Sequence, residues 1–134
     1  MSDPVAKLPP YAEGLGIRIE RNEGAAPLLA VDFSPRVRGR PGFLHGGAMS
    51  GLMEMAAFAA LQAELARRGE QVRIKPVNIQ VEFMRGGIEQ VTYALGSVTR
   101  AGRRVALVNA EAFQDDRTRP IALAQMKFLL IPAE

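Results

Sequence analysis

The sequence predicts an α+β domain in which a curved antiparallel sheet wraps one long central helix. Three observations predict it. Between Ala48 and Leu61 only Ser50 and Glu54 are strongly polar, so a helix there has to be covered on most sides. Nearly everything after that helix reads as strand. The connections between these strands are short, and a parallel pair needs a long crossover, so neighbours run antiparallel.

Taken in order, the first ten residues, with Pro4, Pro9 and Pro10, read as a lead-in arm. Ile17 to Glu20 is a short strand, and Leu28 to Phe33 a second, ended by Ser34-Pro35. A loop with Arg36, Arg38, Gly39, Arg40, Pro41 and Gly42 leads into His45-Gly46-Gly47. From Ala48 to Arg68 the residues are helix formers without proline, and only Gly51 is a weak point. Such a helix is ~30 Å long at 1.5 Å per residue. Gly69 supplies its C-cap, and Arg67 and Arg68 sit at the negative end of its dipole. Val77, Ile79, Val81 and Phe83 then alternate with Asn78, Gln80 and Glu82, the period-two signature of a strand. Gly86-Gly87 turns the chain. Val91 to Arg100 and Arg103 to Gln114 read as two strands joined at Ala101-Gly102. After a turn at Asp115 to Arg119, Ile121 to Ile131 is the last strand. One long helix with five or six strands in this order is the hotdog arrangement.

The chain has 134 residues, which suits a single domain over 1–134. Nothing from Met1 to Pro10 resembles a signal peptide, and the apolar run 48–61 is too short to span a membrane. There are no cysteines, which excludes disulfides, thiolate metal sites and a cysteine nucleophile and is compatible with the cytoplasm. The one histidine excludes a His-rich metal site within one chain, so no metal is expected. The net charge is +3, carried mostly by arginines whose forks suit phosphate and carboxylate. With no nucleic-acid motif and little aromatic interleaving, nucleic acid is not an expected partner.

Glu54 is the most informative residue. Its neighbours one turn away are Ser50, Gly51, Ala57 and Phe58, so no lysine or arginine pairs with it on the helix. A carboxylate in an apolar helix centre is expensive unless it is paired or hydrogen-bonded, and an isolated acid there is a functional-site pattern. The bland alternative is a structural hydrogen bond across a subunit interface. Gly46 comes next: the first N–H groups of a helix lack internal partners, and glycine lets a substrate approach the backbone. A substrate carbonyl placed there gains charge stabilisation as it becomes tetrahedral. His45 orients the carbonyl or the acid, or else caps the helix. Ser50 hydrogen-bonds Glu54 or its own backbone. Arg100, Arg103 and Arg104 crowd one hairpin and Arg36, Arg38 and Arg40 the loop before the helix; either group suits the phosphates of a ligand. No serine or cysteine elbow suggests a hydrolase triad.

The run Gly42-Phe43-Leu44-His45-Gly46-Gly47, followed by Leu52-Met53-Glu54-Met55-Ala56, resembles the hotdog thioesterases of the phenylacetate-degradation type. That family opens its central helix with His-Gly-Gly and places an acid nine residues after the histidine, where Glu54 stands. The resemblance continues through Val77 to Met84 and Ser97 to Val108. It implies hydrolysis of a small or medium acyl- or aryl-CoA, with Gly46 polarising the carbonyl and Glu54 acting as base or nucleophile. It implies no cofactor, CoA being part of the substrate, and a homodimer that pairs into a dimer of dimers. Gly47, Ser50 and Asn78 are then expected at the substrate. Two positions depart from the family: Gly39 replaces an amide, and Pro76 a hydroxyl residue for which Asn78, expected on the same strand face, substitutes. Gly46 and Glu54 are ~12 Å apart along one helix, at 1.5 Å per residue, so one site needs the glycine of one chain and the acid of another. A hotdog hydratase or dehydratase and a non-catalytic acyl-CoA binder are the competing readings.

Overall fold

A computed structural model describes residues 7–132. The element order is α1 (Pro10–Leu15), β1 (Ile17–Glu23), β2 (Ala26–Val31), α2 (Gly46–Arg67), β3 (Val72–Phe83), β4 (Thr92–Ala101), β5 (Val105–Phe113) and β6 (Ala122–Pro132). The six strands form one sheet, all pairs antiparallel, wrapped around α2. This is the expected hotdog architecture.

α2 starts two residues earlier than its apolar run suggests, because His45 caps it. It ends as expected: Gly69 takes a left-handed φ of 68°, and Gly69 and Glu70 N–H groups close back on Ala66 and Leu65. That conformation is free for glycine and strained for other residues. Leu52, Met53, Ala56, Ala57, Ala59 and Leu61 are fully buried. They pack against β2, β4 and β5. No helix among the described residues is long and apolar enough to cross a membrane.

Two expectations need correcting. Six residues of the entry region form α1, which was not anticipated. Pro10 starts it, Gly16 ends it with a φ of 79°, and Ala12 is buried beneath it. Proline at the first turn and glycine past the last are ordinary helix punctuation. The second correction concerns order. The short Gly86-Gly87 connection suggests that β3 neighbours β4. Instead the order is β1-β2-β4-β5-β6-β3. The segment 84–91 passes along the end of the sheet, where Met84 and Arg85 N–H groups donate to Ile121 and Phe43 bridges Ile88. β3 is therefore a free edge. That explains why it begins at Val72 despite Pro76: an edge strand tolerates a residue that cannot donate.

The sheet lies closest to the helix at β4. A Cβ built on Gly96 would sit 2.5 Å from the Ala56 carbonyl oxygen and 2.8 Å from Ala60 Cβ. Both obstacles are rigid. Gly96→Ala should cost about 1–3 kcal/mol, the usual penalty of overpacking a fitted interior. Urea denaturation with an unchanged slope and a lower midpoint would show it; an unaltered midpoint would mean that the sheet can back away freely.

Candidate active site

Although α2 is apolar nearly all round, its own sheet does not close over it. Gly47, Ser50, Glu54, Phe58 and Gln62, spaced three and four residues apart, form one stripe that stays exposed or half-buried while the residues between them are buried. Residues at these spacings share a helix face. Glu54 is therefore half-buried at the middle of an open stripe, and its carboxylate forms no hydrogen bond or ion pair among the described residues.

The N-terminus of α2 is built tightly. The loop before it folds back on itself, with the His45 N–H donating to the Val37 carbonyl at 2.7 Å and Gly39 N–H to Phe43 at 2.9 Å. His45 Nδ1 accepts from the Gly47 N–H at 2.8 Å. Of the two readings of His45, the structure shows the cap. A Cβ at Gly47 would meet that imidazole at 2.9 Å, so the cap requires the second glycine. The Gly46 N–H, by contrast, donates to nothing among the described residues. It is left at the positive end of a 22-residue helix, the position where developing negative charge is stabilised. Ser50 Oγ donates to the Gly46 carbonyl at 3.0 Å rather than to Glu54, the ordinary behaviour of a helix serine.

Two side chains near this face carried no sequence signal. Phe83, at the end of β3 and 55% exposed, lies over Gly46: a Cβ there would be 3.3 Å from its ring. Tyr11, on α1, lies across α2 at Gly51, where a Cβ would collide with its hydroxyl. Gly51, a weakness for helix formation, is thus the gap that admits the phenol one turn from Glu54. The proline and glycine that bracket α1 could have disclosed that helix, but nothing local discloses its docking.

Asn78 is placed elsewhere. A bulge in β3 pairs Pro76 with Phe128 and Asn78 with Lys127. Phe128 is buried against the helix and Lys127 is exposed, so Pro76 and Asn78 face opposite sides of the sheet. The expectation that they share a face is overturned, because a bulge resets the two-residue period. Within one chain Asn78 does not join Glu54. It stands on the outer face of the sheet, the face that also carries a cleft of about 510 Å³ lined by Gln80, Leu95, Asn109, Leu123 and Gln125, across the sheet from the helix.

Arg100, Arg103 and Arg104 do come together. With Gly102, Val105 and Leu107 they line a hollow of about 370 Å³. Arg68 donates to the Ala101 carbonyl at 2.8 Å and so ties the hairpin to the C-terminal end of α2. In the other arginine group, Arg40 stacks over Phe43 at 4.2 Å, a contact that gives that guanidinium a structural use.

Comparisons with known proteins agree with this fold. Residues 41–121, more than half of the chain, match the family model described as Thioesterase superfamily. The medium/long-chain acyl-CoA thioesterase YigI of Salmonella typhimurium is 27% identical over 120 residues, covering 81% of this chain and 77% of that protein. A crystal structure from Chromobacterium violaceum superposes with a TM-score of 0.72 at 33% identity, over 93% of this chain and 85% of the other. A Bacillus halodurans protein crystallised with CoA is similar in fold, with a TM-score of 0.75 at 15% identity, over 92% and 80% of the two chains. Because the family match spans more than half of its residues, the chain belongs to the thioesterase superfamily.

Proposed function

We propose that the protein hydrolyses acyl-CoA thioesters to the carboxylic acid and CoA, in the cytoplasm and in the manner of the phenylacetate-degradation branch of its superfamily. The observation that carries the reading is the pairing of an unengaged Gly46 N–H with an unengaged Glu54 carboxylate on the open stripe of a helix whose other faces are occupied by packing. Gly46 receives the carbonyl oxygen as charge builds on it. Glu54 activates water or attacks the carbon itself. His45 holds the helix start in shape. Its Nδ1 is engaged, so only Nε2 is left to donate toward substrate. The acyl-CoA substrates named for YigI and the CoA of the Bacillus halodurans structure support the substrate class.

The working unit on this reading is a homodimer. β3 is a twelve-residue edge with Val77, Ile79 and Phe83 exposed, and a long apolar edge invites pairing with another strand. Antiparallel pairing of two β3 edges about a two-fold axis sets the end of one against the start of the other. Phe83, which lies over Gly46, is carried toward the second chain in this way. That arrangement supplies what one helix cannot: a glycine donor and an acid within reach of the same carbonyl. Further association into a dimer of dimers belongs to the same reading.

Two measurements test it. Thiol release over a panel of acyl-CoAs, from short aliphatic to aryl, should identify at least one good substrate. On that substrate Glu54→Gln should keep the fold and lose at least ~100-fold in turnover, the low end for a general base. Turnover at the parental rate would remove Glu54 from the mechanism. Formation of an unsaturated thioester without thiol release would favour a hydratase or dehydratase. For the arginine hollow, neutralising Arg100, Arg103 and Arg104 together should raise KM with little change in kcat, the pattern of uniform binding. The effect should shrink for a pantetheine thioester, which lacks the nucleotide. Equal losses on both substrates would show that the hairpin acts through folding.

A further inference from the structure

Two polar side chains are buried among the described residues, Thr92 and Gln114, and neither belongs to the site above. They stand side by side at one end of the sheet, Thr92 opening β4 and Gln114 following β5. An amide taken out of water is penalised unless its hydrogen bonds are made. Gln114 uses both protons of Nε2 and its Oε1. Nε2 donates to the Ile88 carbonyl and to Thr92 Oγ1, each at 3.0 Å, and Oε1 accepts from the Ile88 N–H at 3.2 Å. Ile88 lies outside every strand, and its own side chain is 50% exposed. A buried amide that clamps both backbone groups of such a residue fixes where the chain runs, whatever the side chain does. What runs there is a strap, residues 83–88, laid against the loop that opens α2. Its upstream end is pinned where the Met84 and Arg85 N–H groups donate to the Ile121 carbonyl at 2.9 and 3.2 Å. Gly86 and Gly87 then pass so close to the loop that a Cβ would meet the Phe43 ring at 2.9 Å and Leu44 Cβ at 3.2 Å. The Leu44 N–H donates to the Gly87 carbonyl at 2.9 Å, and Phe43 bridges Ile88. His45 and Gly46 follow Leu44 directly, and the Phe83 ring lies over Gly46. Two adjacent glycines give the strap no stiffness of its own, so its position comes from its anchors, Ile121 and Gln114.

We infer that Gln114 is a positioning residue for the Gly46 donor, acting through the strap and through Leu44 and His45. The inference rests on the carbonyl-polarising role proposed for Gly46. A backbone donor serves a developing oxyanion only at ~2.7–3.1 Å, and a misplacement of about 1 Å costs ~100-fold in rate. Without the Gln114 amide, the Ile88 N–H and carbonyl have to find water, and they reach it by drawing the strap away from Leu44. The substrate's CoA end is out of range of this effect. Gln114 follows β5, whereas the hairpin of Arg100, Arg103 and Arg104 precedes it. The nine residues of β5 lie between them, or ~30 Å at about 3.3 Å per residue.

The test compares the parent with Gln114→Met, which keeps length and removes the amide, and with Thr92→Val, which removes only the hydroxyl. Thr92→Ser is the conservative control. On the best acyl-CoA of the panel, Gln114→Met should lower kcat at least about tenfold and leave KM within about twofold. Thr92→Val should show the same split at smaller size, and Thr92→Ser should return kcat to the parental value. Amide hydrogen exchange reads the strap without turnover. The Leu44 N–H should exchange at least about tenfold faster in Gln114→Met, while the β5–β6 ladder keeps its parental protection. Should Gln114→Met not fold, the Thr92→Val and Thr92→Ser pair decides by the same readouts. If Leu44 exchange accelerates but the parent cleaves no thioester, the strap's hold on the loop stands and the proposed activity fails. Parental kcat in folded Gln114→Met overturns the inference. So does a loss of kcat in which ladder protection falls as well, because that is a damaged fold and not a displaced donor.

Discussion

Everything functional in this molecule follows from one mismatch: a helix that is apolar on nearly every side, and a six-stranded sheet that covers all but one stripe of it. Had the sheet closed, Glu54 would be a carboxylate sealed in hydrocarbon, a costly arrangement. Had the stripe been polar along its length, it would be an ordinary solvated face. Instead the stripe carries a glycine, a serine turned onto its own backbone, one acid, a phenylalanine and a glutamine. Such a surface is too apolar to be left to water and too specific to be mere packing.

The start of the helix shows how few groups remain for chemistry once structure has taken its share. His45 and the Gly47 N–H are used by each other, and Ser50 by the Gly46 carbonyl. What remains is the Gly46 N–H at one point and the Glu54 carboxylate two turns on. The cap does more than end a helix. By taking the second N–H it leaves a single donor, with fixed direction, for an incoming carbonyl. Gly39 belongs to the same construction: a Cβ there would press on the His45 backbone at 3.1 Å, so the tight loop that seats the cap favours a residue without a side chain.

The sequence disclosed the parts of the molecule governed by local periodicity and by unusual polarity. The apolar run of α2, its Gly69 stop, the alternation in β3 and the hairpin between β4 and β5 are all local patterns, and each became the expected element. Glu54 and Gly46 stood out because acids and paired glycines are out of place in an apolar helix. What escaped was set by tertiary contacts. β3 pairs with β6 rather than β4 because strand order is decided across the whole sheet. The bulge that turns Asn78 outward shifts register by one residue and leaves no mark in the hydrophobic pattern. Tyr11 and Phe83 reach the site from distant elements.

The central claim is that no single chain holds a complete site. Complementation between two inactive variants tests it most directly. Gly46→Pro removes the donor N–H at a position where helices accept proline, and the one side chain crowding it, Phe83, is exposed and free to give. Glu54→Ala removes the acid. Each variant should be nearly inactive alone. After equal amounts exchange subunits, half of the dimers are mixed, and each mixed dimer regains one of its two sites. About a quarter of parental activity should therefore return. No return of activity, with both variants folded and exchange demonstrated by mass, would mean that Gly46 and Glu54 do not meet across the interface.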